Sequence, residues 1–188
     1  QKSFADLRGQ VAMCVDIAPG GKHVSLYAAA VQPDGKIRIG LAREWFSVEA
    51  ARRELPALVA KVKPRAFGWL PAGPAVALAV DLADRSAKNA RAPWPPYGVA
   101  VEEIRGEVPA VCMGFDQLVT AGQIVRVADA LLDEHVGNAE RYVTGDVWRF
   151  SRRVPDAPVD ALYGAAGAVH LARTLSPPPA RLRAVTAE

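Results

Sequence analysis

The strongest constraint on this chain is a carboxylate placed where a carboxylate is costly. Val11-Ala12-Met13-Cys14-Val15 is an unbroken apolar run of strand length that ends in Asp16, and the turn Pro19-Gly20-Gly21 leads into a second apolar run over residues 24–31. An ionised side chain leaving a buried strand is poorly solvated and costs free energy unless a cation or a hydrogen-bond donor meets it. Asp16 therefore needs a partner, and a divalent metal ion is one. The local alternative is an Asx-type turn, in which Asp16 accepts hydrogen bonds from the Gly20 and Gly21 amides.

The pattern around this feature predicts an α/β fold. Residues 1–10 read as a polar lead-in, and residues 11–16, 24–31 and 36–44 as three extended segments. Between the last two, Pro33-Asp34-Gly35 is a strong hairpin signal, because proline presets one turn angle and glycine accepts a positive φ. An antiparallel meander is the natural result. Ser47 then offers an N-cap, and Val48, Ala51, Leu55, Leu58, Val59 and Val62 recur at helical spacing up to Pro64. Such a helix crosses the sheet and returns the chain in parallel to a fourth strand over residues 66–70, closed by Pro71-Ala72-Gly73-Pro74.

A helix over 75–83, a loop with Trp94-Pro95-Pro96, a fifth strand over 98–104 and helices near 108–121 and 129–139 come next. Residues 142–152 read as one extended segment, and a final helix runs over 157–173. Its small residues Ala161, Gly164, Ala165, Gly167 and Ala168 permit a close approach to a neighbouring layer. Residues 176–188, with three consecutive prolines, read as a mobile tail.

A chain of 188 residues, 51% hydrophobic, fits one domain with a single sizeable core and leaves no room for a second catalytic domain. Its net charge of +3 favours a polyanionic partner without requiring one. The two cysteines, Cys14 and Cys112, lie in apolar stretches outside any CxxC pair and read as buried thiols of a reducing cytosol. No apolar stretch approaches the roughly 20 residues of a membrane helix, and the N-terminus has no basic-then-apolar signal, so a soluble intracellular protein is expected. A start at Gln1 suggests a domain cut from a longer chain or a processed product. Pro19-Gly20-Gly21-Lys22-His23 lacks the glycine spacing and the Ser/Thr of a phosphate-binding loop, and reads as a hairpin turn. His23, His135 and His170 are scattered without ligand spacing, with His170 expected at a helix end or on the surface. No nucleophilic triad motif is present.

Three antiparallel strands, a crossover helix, a parallel fourth strand, another strand and a C-terminal helix follow the order of the ribonuclease-H-like superfamily. Three stretches sharpen this: Cys14-Val15-Asp16-Ile17-Ala18-Pro19; Ala72-Gly73-Pro74-Ala75; and Trp148-Arg149-Phe150-Ser151-Arg152-Arg153 with Pro155-Asp156-Ala157-Pro158-Val159-Asp160-Ala161. Over roughly residues 11–173 the chain resembles the C-terminal nuclease domain of the large terminase subunit of tailed bacteriophages, particularly the actinobacterial phage and prophage type.

The resemblance implies a five-stranded mixed sheet flanked by helices, with a nuclease domain over 11–175 between a linker at 1–10 and the tail. It implies an endonuclease that cuts concatemeric double-stranded DNA in the cytoplasm of a bacterial host. An upstream ATPase domain, a portal and a small terminase subunit are the implied partners, and no membrane is involved. Two divalent ions about 4 Å apart hydrolyse phosphodiesters when carboxylates from several elements hold them, and hard oxygen ligands suit Mg²⁺ or Mn²⁺.

By matching position, Asp16 and Asp160 are the implied catalytic metal ligands. Asp156 is a reserve ligand whose other reading is a helix N-cap. Arg149, Arg152 and Arg153, flanked by Trp148 and Phe150, read either as contacts to DNA phosphates or as a solvated face. The family's remaining acid usually ends strand four, where this chain has Leu70. Glu102 and Glu103 are the first substitutes. Two alternatives remain: a catalytically weakened module for gripping DNA or docking on the portal, and another enzyme of the same fold, such as a resolvase or transposase core.

Overall fold

The structure, a computed structural model, describes residues 4–88, 94–153 and 157–174. The meander forms as expected: β1 (Ala12–Ile17), β2 (Val24–Val31) and β3 (Ile37–Trp45) pair antiparallel. Ser47 caps α1 (Val48–Val62) by accepting a 3.1 Å hydrogen bond from the Ala50 amide, which satisfies one of the free donors of the first turn. The helix stops at Lys63, whose left-handed backbone (φ 51°) returns its own N–H to the Val59 carbonyl. The chain then enters β4 (Ala66–Trp69), parallel to β1.

Helix α2 (Ala75–Lys88) comes next, and β5 (Ala100–Glu103) pairs parallel with β4. After α3 (Val108–Thr120), Ile124–Val125 forms β6, parallel to β3, so the sheet has six strands in the order β5-β4-β1-β2-β3-β6 rather than the expected five. Helix α4 (Ala130–Gly137) leads to a separate hairpin, β7 (Arg141–Thr144) and β8 (Val147–Phe150), where a single extended segment was expected. Gly145, at φ 61°, supplies the left-handed turn residue that folds this segment back on itself. The last helix, α5, spans Asp160–Thr174.

Two cores lie on opposite faces of the sheet. Met13, Val15 and Ile17 face α1 and α2 with Leu55, Val59, Leu78 and Leu82, whereas Ala12 and Cys14 face α5 with Tyr163, Ala165 and Val169. Strand β1 is therefore buried on both faces, which explains why its sequence is a continuous apolar run rather than an alternation. Residues 4–10 form a 3-10 turn whose Leu7 joins the α1 side, so this part of the lead-in packs onto the domain.

Glycine sets the seating of α5. A Cβ on Gly167 would collide with Cys14 Sγ, and one on Gly164 would stand 3.3 Å from the Tyr27 ring. With side chains at these two positions the helix could not lie directly on β1 and β2. Leu162, Val169 and Leu171 of α5 are buried in the core on this side of the sheet and contribute roughly 2 kcal/mol each by removal from water.

The β2–β3 ladder is irregular at one point. It slips at Leu26/Tyr27: Tyr27 pairs with Leu41 but Leu26 pairs with Arg43, a bulge at Ala42. No helix among the described residues is long and apolar enough to cross a membrane.

Candidate metal centre

Asp16 pairs with Ser25, and Ser25 pairs with Glu44. Directly opposed residues share a face of the sheet, so the three form a polar rung on the α5 side. Gly164 lies against this rung, its missing Cβ only 3.5 Å from Ser25 Oγ. Asp160 sits one turn earlier on α5 and is brought to the rung's His23 and Glu44 end. Asp16 and Asp160 are both fully buried, and the charge of Asp160 acts on Asp16.

Arg152 is the observed partner of Asp16. Its Nη2 donates to Asp16 Oδ1 at 2.8 Å, its Nη1 lies 2.7 Å from Asp16 Oδ2, and Nη1 also donates to the Ile17 carbonyl at 3.1 Å. The guanidinium stacks over the Tyr163 ring at 3.8 Å, and the Tyr163 hydroxyl is fixed by a 2.5 Å bond to the Phe150 carbonyl. Gly73, with φ 127°, leaves room for it, since a Cβ there would stand 3.4 Å from Arg152 Nη2. Burial nevertheless dominates and pushes the Asp16 carboxyl up to about 6, with Arg152 opposing and Asp160 adding to the rise. The turn alternative loses a donor, because the Gly21 amide donates to the Ala18 carbonyl.

The histidines that sequence spacing left scattered converge on Asp160. His23 Nδ1 lies 2.7 Å from Asp160 Oδ2, and His23 Nε2 lies 3.4 Å from Glu44 Oε2. His135 Nδ1 accepts the Ala161 amide at 3.0 Å and lies 3.7 Å from Asp160 Oδ1. The hydrogen bond to Asp160 raises the His23 pKa against the opposing effect of burial, whereas burial lowers that of His135. One signal was present in the sequence: His23 closes the turn that begins just after Asp16. For His135 and Glu44 there was none, since helix packing and strand register place them.

The other expectations divide. Leu70 is buried in the α5-side core, so no acid ends strand four. Glu102 pairs with Gly68, which packs against Leu171, about 16 Å further along α5 than Asp160 at 1.5 Å per residue. Glu103, the next residue, alternates to the other face. Glu44 is the acid that meets His23, the partner of Asp160. Asp156 and the tail at 176–188 lie outside the described residues. Arg149 and Arg153 stack on the Tyr142 ring at 5.2 and 4.2 Å.

Asp16 Oδ2, Ser25 Oγ and Asp160 Oδ1 are buried and accept no well-aligned hydrogen bond. A buried polar atom left unmatched costs about 1–3 kcal/mol, more when charged. Asp16 Oδ2 is met by Arg152 Nη1 at 2.7 Å, which leaves Ser25 Oγ and Asp160 Oδ1 as the two unmatched atoms; they fit a site that takes up a cation, and the oxygen donors suit a hard divalent ion.

No protein-family model and no curated protein matches the chain. Solved structures do. The large terminase of bacteriophage HK97 superposes with a TM-score of 0.64 at 8% identity, over 85% of this chain and 39% of that one. The nuclease domain of the large terminase subunit gp2 of bacterial virus Sf6 superposes with a TM-score of 0.51 at 12% identity, over 89% of each chain. A K428A mutant of that subunit's gp2c, with calcium, gives 0.52 at 10% identity over 93% of this chain. This chain thus spans about two fifths of the HK97 protein, and its mixed α/β fold is ribonuclease-H-like.

Proposed function

We propose that this chain is a metal-dependent endonuclease domain that cuts double-stranded DNA within a viral genome-packaging terminase. What supports the reading is that Asp16 from β1 and Asp160 from the start of α5 are both fully buried, that the charge of Asp160 acts on Asp16, and that Asp160 Oδ1 has no hydrogen-bond partner. The fold likeness to terminase nuclease domains supports it.

In this reading Asp16 and Asp160 would hold Mg²⁺ or Mn²⁺, with Asp156 in reserve. When bound, such ions stabilise the charge that develops on a phosphodiester as water adds to phosphorus and one ester P–O bond breaks. The chain's own residues do the rest. Arg152 fixes the Asp16 carboxylate between β1 and Tyr163, and the hairpin cations Arg149 and Arg153 contact DNA phosphates. The domain, residues 11–175, works beside an upstream ATPase domain, a portal and a small terminase subunit in the host cytoplasm.

The test is plasmid cleavage in Mn²⁺ by the wild type, Asp16→Asn and Asp160→Asn. Nicked and linear products are expected from the wild type alone. Equal products in all three lanes overturn the assignment. A second reading has its own support: with Leu70 where an acid belongs and Arg152 seated on Asp16, the domain is a weakened nuclease kept to grip DNA or dock on the portal. Retarded DNA without any cleavage would favour that one.

A further inference from the structure

Strand β3 is an edge over most of its length. Of its nine residues only Ile37 and Arg38 pair with β6 on the side away from β2, and from Gly40 to Trp45 no strand lies alongside it among the described residues. Backbone N–H and C=O groups left along an edge are a template for one more strand. Leu41, an apolar residue in the middle of this stretch, is 37% exposed.

The edge opens into a cleft of about 1670 Å³ rather than onto a flat surface. Phe4, Leu58 and Val62 wall it on the α1 side, and Val127, between β6 and α4, and Leu131 of α4 wall it on the other. A strand seated beside β3 at the usual spacing of about 4.8 Å would alternate its side chains between these two apolar walls. A second copy of the sheet, with its own flanking helices, would meet both walls. The bulge at Ala42 also interrupts the flat ladder that edge-to-edge pairing needs.

Charge says what the strand carries. Lys61 and Lys63 line the cleft at the end of α1 and have no carboxylate partner among the described residues. The acids that line it are already engaged: Glu44 faces His23, and Asp129 accepts the Tyr27 hydroxyl at 2.9 Å and the Leu132 amide at 3.1 Å. Arg65, just beyond Lys63, donates its N–H to the Val11 carbonyl, and the next residue, Ala12, shares a rung with Ala29 and Ile39. The two lysines therefore stand at the end of the open edge where β6 leaves.

We propose that this cleft binds an extended peptide of another protein as a seventh strand on β3, with carboxylates at the end that meets Lys61 and Lys63. Main-chain hydrogen bonds supply the affinity, and the walls and the lysines supply the selectivity. The site does not depend on the nuclease reading.

The probes are labelled octapeptides of alternating valine and threonine with two glutamates at one terminus, made in both orders and titrated by fluorescence anisotropy into the whole chain in chelator. The better order is expected to bind saturably at one site. Methylating alternate backbone nitrogens weakens it about tenfold or more, as does replacing the glutamates with lysine. Lys61→Glu with Lys63→Glu reverses the preference between the glutamate and lysine peptides, which a misfolded variant could not do. Amide exchange over residues 40–45 slows about tenfold or more in the presence of the peptide. Failure of both orders to bind at millimolar concentration, equal binding of the methylated peptide, an unreversed preference in the double variant, or unchanged exchange over 40–45 overturns the site. A concentration-dependent dimer in which those amides are already protected overturns it in favour of a second copy.

Discussion

Arg152 and Arg153 are neighbours in the chain and opposites in the structure. Arg152 has a side chain 13% exposed, bonded to a buried carboxylate and a backbone carbonyl and stacked on a tyrosine. Arg153 is exposed and, with Arg149, stacks on Tyr142 beside the β7–β8 hairpin. A cation committed to a desolvated anion is part of the fold. One resting on a half-buried ring at the surface gains about 1 kcal/mol or less, and remains available to a phosphate.

Truncating Arg152 breaks the contrast most severely. In chelator above pH 7, Arg152→Ala should lose about 3–5 kcal/mol in urea denaturation, because the buried Asp16 must then stay charged without a partner or bind a proton. Adding Asp16→Asn to it should recover part of that loss.

The next effect is a pH dependence. A folded-state pKa of about 6 against 3.8 means the native Asp16 binds its proton more tightly than the unfolded chain does. The resulting stabilisation is complete below pH 3.8 and is lost as pH rises through 6. Metal-free wild type should therefore fall relative to Asp16→Asn across that window, by on the order of 2–3 kcal/mol. Parallel stability curves for the two proteins would contradict it.

The smallest effect on stability belongs to the hairpin. Arg149→Ala with Arg153→Ala should change stability by less than about 1 kcal/mol, yet weaken DNA binding and reduce its salt slope by about 2 if both residues meet phosphates. An unchanged slope in titrations at several salt concentrations would assign them to a solvated face.

The same contrast explains how much was readable in the sequence. The meander, α1 and β4 were legible because a proline-glycine turn, a serine cap and helical spacing are local signals. Strand β6 was not, since Ile124–Val125 is too short to carry any period and pairs only because the chain returns beside Ile37 and Arg38. The hairpin in residues 142–152 did carry a local signal, the two-residue turn Gly145-Asp146 between Thr144 and Val147. Asp16 stood out from its apolar strand, and Asp160 from the resemblance. The remaining polar groups were out of reach: Glu44, His135 and the seat of Arg152 depend on strand register, on α4 packing against α5, and on a glycine that leaves space for a guanidinium.

The bulge at Ala42 decides which sign of charge meets His23, the partner of Asp160. In an unslipped ladder, the pairing of Tyr27 with Leu41 would continue to Leu26 with Ala42 and Ser25 with Arg43. A guanidinium would then stand on the rung where Glu44 now stands, and the end of the centre at His23 would repel a cation. The extra residue in β3 thus acts as a polarity selector: closing the bulge with Ala42 retained would exchange Glu44 for Arg43 on the rung and invert the charge there.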